Sequence, residues 1–296
     1  MLGPAWAQVD PAADGSEALT KVTLDGLLRP DGEPSSLEVT LPQANHRAWP
    51  VVLFIHGWSA KPEYYAGLVE NLASRGFAVA NFDQVDVFEL ELPTWERAGK
   101  TALDALSAAA VDPASPLFGL LDMDKLAVMG HSYGGATTTC LAASDPRVKV
   151  AVALTPGVSE AVRPFFMKRA SEVRIPILVV GAEFDPIVRA SRFARPAFAQ
   201  LASPARLYVE IARAEHLTIA DADFGYLQWT PLRFPFFTRT RRPAEVRAVS
   251  RRYATGWIEH YLGVRADSLG LVDGSRAAQD EASGSLSRYG TPARRP

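Results

Sequence analysis

Short β-branched, apolar runs alternate with stretches of helical periodicity through most of this 296-residue chain. Residues 50–55, 77–82, 125–129, 148–154, 175–180 and 206–211 are such runs, the mark of strands buried on both faces. Between them the apolar positions fall at helical spacing. Tyr65, Leu68, Val69 and Leu72 share one face, with Gly76 placed to stop that helix. Further helices are predicted over 95–110, 134–143, 159–170, 192–201 and 243–262, the last opening on Pro243, where a missing N–H costs least. Residues 21–28 and 37–41 alternate as strands about the turn Arg29-Pro30-Asp31-Gly32. That connection is too short for a crossover, so these two form an antiparallel edge. The rhythm predicts an α/β fold: a mostly parallel central sheet, helices on both faces, and an antiparallel N-terminal edge.

Three segments fall outside the rhythm. Residues 1–19 read as a flexible arm. Residues 217–242 place Trp229, Phe234, Phe236 and Phe237 among prolines and arginines, as an aromatic insertion in a domain spanning 20–262. Residues 263–296 are rich in Ser, Ala, Gly and Arg and are expected to be a mobile tail. Ala5-Trp6-Ala7 before Gln8 has the small-x-small form of a signal-peptidase site, but no basic and apolar regions precede it. A trimmed leader stub and an Ala-rich tail both fit, which leaves secreted, periplasmic and cytoplasmic locations open.

Composition narrows the function classes. With 48% hydrophobic residues, the chain can bury a sizeable core, which excludes disorder. A net charge of −2 supplies no field for holding phosphate backbones, so nucleic acid is not an expected partner. No run approaches the roughly 20 apolar residues that span a bilayer. The single cysteine, Cys140, forbids an intrachain disulfide or a thiolate metal cluster, and reads as core packing. No metal-ligand cluster or phosphate-binding glycine loop is present, so no cofactor is expected.

The chemistry concentrates in Gly130-His131-Ser132-Tyr133-Gly134-Gly135, a G-x-S-x-G set between a predicted strand and a predicted helix. A sharp turn there lifts the Ser132 hydroxyl to a helix N-terminus, where the helix dipole favours developing negative charge. The plain alternative is a Ser/Gly turn without chemistry. A serine nucleophile needs a base. Of the five histidines, His131 lies inside the turn and points away from the hydroxyl. His46 sits in a loop, His56 ends a strand, and His260 lies on the closing helix. His216, in the loop after the last predicted strand, remains. Asp185, just past the strand over 175–180, is the acid expected to orient it, with Glu183 as the rival. Asp221 and Asp223 follow the histidine too closely and read as loop or surface charges. His56-Gly57-Trp58 follows the third strand, and its turn offers the Trp58 backbone N–H as one oxyanion donor, with the Tyr133 N–H as the second. An ordinary strand-ending turn is the alternative there.

Together with Leu72-Ala73-Ser74-Arg75-Gly76-Phe77 and Pro176-Ile177-Leu178-Val179-Val180-Gly181, these motifs resemble an α/β-hydrolase-fold serine esterase. The nearest branch holds cutinases and polyester hydrolases, dienelactone-hydrolase-like proteins and chlorophyllases. The resemblance reaches from about residue 50 to 217. It implies a carboxylic ester hydrolase working through an acyl-enzyme on a small-molecule or polymeric ester, with Ser132, Asp185 and His216 as its triad. The chain departs from the branch in several places. Cutinase-like polyesterases often carry Met where Tyr133 stands, and commonly have a C-terminal disulfide. Dienelactone hydrolases use Cys where Ser132 stands, and compact polyesterases end without the aromatic insertion. These departures bear on the substrate, not the chemistry. Trp58, Tyr64, Tyr133, Trp229, Phe234 and Phe237 are the candidate substrate-binding residues, with packing of the insertion as the alternative for its aromatics. Arg233, Arg239, Arg241 and Arg242 read as a solvated basic face or as contacts for an acidic substrate. Acetyl-ester, amide or C–C bond hydrolysis on the same triad, and a non-catalytic binder of the same fold, are the competing functions.

Overall fold

The eight predicted strands, joined by a ninth near the C-terminus, form one nine-stranded sheet. The computed structural model describes residues 10–44, 47–83, 85–86, 89–221 and 242–296. In chain order the strands are β1 (Leu19–Leu28), β2 (Pro34–Pro42), β3 (Trp49–Ile55), β4 (Ala78–Phe82), β5 (Leu121–His131), β6 (Val148–Leu154), β7 (Ile177–Ala182), β8 (Arg206–Ile211) and β9 (Leu286–Gly290). They lie side by side as β1-β2-β4-β3-β5-β6-β7-β8-β9. The run from β4 to β8 is parallel, while β1, β2 and β9 pair antiparallel at the two edges. Seven α-helices are described: α1 (Ala66–Ser74), α2 (Leu92–Val111), α3 (Tyr133–Ser144), α4 (Arg163–Glu172), α5 (Ala194–Gln200), α6 (Pro243–Tyr261) and α7 (Ser275–Ala282).

Because successive side chains of a strand point to opposite faces, the central strands feed two cores. Val51, Leu53, Ile55 and Val128 pack with Trp95 of α2, Cys140 and Leu141 of α3, Phe166 of α4 and Phe198 of α5. Val52, Phe54, Met129 and Leu178 pack on the other face with Leu68 and Leu72 of α1 and Tyr253 and Trp257 of α6. Both faces are therefore covered, and parallel strands become apolar throughout rather than alternating. Cys140 is fully buried, and burial pushes its thiol up, in keeping with a packing role. Gly76 ends α1 with φ +98°, in the left-handed region that favours glycine. None of the described helices is long and apolar enough to cross a membrane.

The two termini differ from expectation. The 263–296 segment is not a loose tail: it forms α7 and then β9, which pairs with β8 from Tyr208↔Gly290 to Ile211↔Leu286. Leu271, Ala277 and Leu286 are buried in the α6-side core, and Tyr253 Oη donates to Asp280 Oδ2 at 2.8 Å. Composition concealed this because β9 is stabilised by backbone pairing along the β8 edge, which requires few large side chains. From residue 10 onward the N-terminal arm is likewise anchored. Arg252 pairs with Asp10 at 2.6 Å, Asn71 Nδ2 donates to Ala13 O at 3.0 Å, and Gly15 N donates to Ser74 Oγ at 2.8 Å. The Ala5-Trp6-Ala7 motif lies outside the described residues, as do 222–241 of the aromatic insertion.

Candidate active site

β5 ends at His131 and α3 begins at Tyr133, so one residue, Ser132, makes the whole strand-to-helix turn. It adopts φ +58° and ψ −119°, a conformation that non-glycine residues rarely take and that costs about 1–3 kcal/mol. Surrounding bonds hold it there. Ser132 N donates to Leu154 O at 2.9 Å, and Ser132 O accepts from Ala136 N at 3.0 Å and Gly157 N at 3.2 Å. The turn also lies hard against the end of β3. A Cβ on Gly134 would stand 2.1 Å from Ile55 O and 2.4 Å from His56 O, so this position has room only for glycine.

The loops after β7 and β8 bring the other groups to the same carboxyl edge of the sheet, where open parallel sheets gather their ligands. His216 Nε2 lies 2.8 Å from Ser132 Oγ, and His216 Nδ1 lies 2.6 Å from Asp185 Oδ2. Asp185 is itself fixed: its Oδ1 accepts from Ile187 N at 2.9 Å and from Val188 N at 2.6 Å. His216 and Asp185 are both buried. Such a chain can take a proton from Ser132 at Nε2, while the proton on Nδ1 stays there and is donated to the carboxylate. The rival acid, Glu183, is exposed and accepts from Arg213 N at 2.7 Å instead. Asp221 holds α1 to α6, accepting from Leu68 N at 3.1 Å and from Arg251 at 2.8 Å. Asp223 and His46 lie outside the described residues.

The remaining histidines serve other ends. His56 is buried edge-on against Trp95, with ring centroids 5.5 Å apart, and its Nε2 stands 3.7 Å from Asp83. His260 lies in the last turn of α6, with its ring edge-on to Tyr261. His131 is buried beside His216, and its two ring nitrogens face Tyr65 Oη and His216 O rather than Ser132. Glu215 precedes His216 and is also buried; burial, with Asp185 nearby, pushes its carboxyl up to about 7.

After β3 the chain turns at once. Gly57 O accepts from Ala60 N at 3.1 Å, and Ser59 takes φ +58°. A Cβ on Gly57 would meet Ser132 Cβ at 3.2 Å, so this turn packs directly on the serine. Trp58 stands at its corner and is 42% exposed.

The expected substrate-binding aromatics divide. Trp58 is on the rim. Tyr133 is not: its ring is buried 5.2 Å from Trp95, its hydroxyl donates to Leu90 O, and burial pushes the phenol up. The residue after an elbow serine begins the helix, and here its side chain turns inward between α2 and the loop before it. Tyr64 is half-buried and packs against the α6-side core. Trp229, Phe234 and Phe237 lie outside the described residues, as do Arg233, Arg239 and Arg241. Three apolar side chains that pattern reading passed over join Trp58 at this edge: Leu90, Phe184 and Ile187, at 46%, 41% and 55% exposure. The signal for two of them was local, because Phe184 and Ile187 flank Asp185.

Residues 27–227 match the model of the PET hydrolase-like family. Among characterised relatives, the chain is 34% identical over 161 residues to cutinase 2 of Thermobifida cellulosilytica, covering 54% of this chain and 57% of that one. It is also 34% identical to cutinase cut1 of Thermobifida fusca, covering 54% and 47%. Similarity to the bis(hydroxyethyl) terephthalate hydrolase of Streptomyces coelicolor is longer, 30% over 232 residues, 74% of this chain and 71% of that one. The chain spans about half the length of the cutinases it matches.

Proposed function

Because the chain belongs to the PET hydrolase-like family, we propose that it is a serine hydrolase cleaving carboxylic esters through an acyl-enzyme. The observation that carries this reading is the continuous chain Asp185 Oδ2, His216, Ser132 Oγ, with links of 2.6 Å and 2.8 Å. In the first step, His216 Nε2 takes the Ser132 proton as Oγ attacks the ester carbonyl. The Nδ1–H, held by Asp185, keeps the imidazole in the right tautomer and stabilises its charge. The carbonyl oxygen, now negative, accepts from the Trp58 N–H on the turn after β3 and from the Tyr133 N–H at the α3 N-terminus; one such donor is worth about 3 kcal/mol. Nε2–H then passes its proton to the leaving alcohol. Water, deprotonated by the same nitrogen, attacks the acyl-enzyme; the bond to Ser132 Oγ breaks, Oγ takes the proton back from Nε2–H, and the acid is released. Every proton is accounted for by His216 and water.

The substrate side rests on the rim. Trp58, Leu90, Phe184 and Ile187 offer exposed apolar surface in the loops at the carboxyl edge that also carries Ser132, suited to the aromatic or aliphatic acyl part of a polyester or of a small terephthalate ester. The test compares the protein with its Ser132→Ala variant on a short-chain nitrophenyl ester, bis(hydroxyethyl) terephthalate and a polyester film. A fluorophosphonate should label the wild type at Ser132, and Ser132→Ala should lower kcat by about 10⁴–10⁶. Wild-type turnover in Ser132→Ala, or an unlabelled wild type, overturns the reading.

A further inference from the structure

His131 precedes the elbow serine, and nothing in the mechanism above uses it. It is fully buried, its ring lies 4.6 Å from that of His216 at 39°, and both nitrogens are engaged. Nε2 is 3.0 Å from the backbone carbonyl of His216, and Nδ1 is 2.8 Å from Tyr65 Oη. Tyr65 Oη in turn lies 3.3 Å from Gly57 N.

Elementary donor counting fixes the direction of every link. A carbonyl only accepts, so the His131 proton is on Nε2 and donates to His216 O. A neutral imidazole has one such proton, so Nδ1 accepts, and the Tyr65 hydroxyl donates to it. Gly57 N–H only donates, and the Tyr65 oxygen receives it. The result is a one-way chain: Gly57 N–H to Tyr65 Oη, Tyr65 O–H to His131 Nδ1, His131 Nε2–H to His216 O. Its ends are the backbone of the turn bearing Trp58 and the backbone of the base itself, and its middle is covalently joined to Ser132. Burial and the neighbouring His216 hold the His131 imidazole well below the usual histidine range, which preserves the single-proton state the chain requires.

We propose that His131 is a positioning residue: through Tyr65 and the His216 carbonyl it locks the oxyanion turn and the base loop to the nucleophile. This rests on the reading of Ser132 as nucleophile. The reason such a device matters is geometric. Ser132, His216 and Gly57 come from three separate loops, and displacements near 1 Å cost as much as a hundredfold in rate. A hydrogen-bonded chain with one allowed direction gives those loops a common register that apolar packing, which is non-directional, does not supply.

The test uses Tyr65→Phe, which deletes only the hydroxyl, His131→Leu, which keeps volume without hydrogen bonds, and His131→Gln, which restores an adjacent donor and acceptor. The readouts are kcat and KM on a short-chain nitrophenyl ester, the rate of fluorophosphonate labelling at Ser132, and the melting temperature. We expect Tyr65→Phe and His131→Leu to lower kcat by about 10–100-fold, with KM moving less than about threefold and labelling slowing in parallel. His131→Gln should recover to within about fivefold of wild type, and the double variant should be no slower than His131→Leu within about twofold, since both cut one chain. A purely structural role would lower the melting temperature and leave kcat of the folded protein unchanged. Wild-type kcat in Tyr65→Phe, or losses that multiply in the double variant, while the wild type still labels at Ser132, overturns this proposal alone. A wild type that does not label overturns the esterase reading, and this one with it.

Discussion

Asp185→Asn is the sharpest probe of the site, because the structure dictates how the new side chain must sit. Asp185 Oδ1 accepts two backbone N–H bonds, from Ile187 at 2.9 Å and Val188 at 2.6 Å, and Oδ2 faces His216 Nδ1 at 2.6 Å. An asparagine keeps those backbone bonds only by placing its oxygen where Oδ1 was. Its NH₂ then faces Nδ1, which has to become an acceptor, and the imidazole proton moves to Nε2. That proton points at Ser132 Oγ, 2.8 Å away, where the lone pair of a base is needed. In Ser-His-Asp hydrolases the same exchange costs about 10⁴ in kcat, about 5.4 kcal/mol at 1.36 kcal/mol per tenfold. Stability should hardly change, since both backbone bonds survive; a shift above about 4 °C in melting temperature is not expected. Asp185→Ala is the contrast. It leaves the buried Val188 N–H unpaired, costing about 1–3 kcal/mol besides the activity, while the part-buried Ile187 N–H costs less. Nitrophenyl ester turnover and calorimetry read both quantities. Asp185→Asn retaining kcat within tenfold of wild type refutes the orienting role, and a large loss of stability refutes the argument about which oxygen is which.

Other expectations follow from the same contacts. Glu215 has its carboxyl pushed up to about 7 from 4.5, so between those values the unfolded chain releases a proton that the native state keeps, and stability falls as pH rises through that window. Glu215→Gln removes the loss; its melting-temperature gain over wild type should be larger at pH 8 than at pH 5, and a constant offset would contradict the assignment. Glu259→Ala leaves the buried Arg75 guanidinium, paired with Glu259 at 2.7 and 3.1 Å, without its counter-charge and with only the Ala13 carbonyl at 3.0 Å, and should cost about 3–5 kcal/mol by urea unfolding; under about 1 kcal/mol would show the pair to be dispensable. Truncation after Gly284 removes β9 and bares the β8 edge, so the melting temperature should drop and self-association appear in size-exclusion chromatography. An unchanged melting temperature would mean that β9 contributes nothing to the sheet.

How legible the site was depends on the length scale of each interaction. The elbow reads from six consecutive residues, because the turn's demand for glycine at 130 is local, a Cβ there meeting Gly134 O at 2.5 Å; the demand at 134 comes instead from Ile55 and His56 at the end of β3. His216 and Asp185 were reachable as strand-end residues: the parallel order puts every strand's carboxyl end on one edge, and elimination then left few candidates. The burial of the Tyr133 ring was not legible, because a helix-start position says nothing about whether the ring faces solvent or Trp95. The anchoring of the termini was invisible for a similar reason, since Asp10 and Arg252 are 242 positions apart and β9 depends on an edge that exists only once β8 is in place.

By itself, then, the sequence determined the strand–helix rhythm, the strained serine turn and the residue types able to do acyl chemistry, all of which follow from local sterics, periodicity and proton affinity. Tertiary structure decided which carboxylate meets His216, which aromatics face solvent, and how His131 joins Gly57 to His216. Those outcomes are set by contacts a few ångströms long between residues distant in sequence, and only the packed sheet brings such residues within hydrogen-bonding reach.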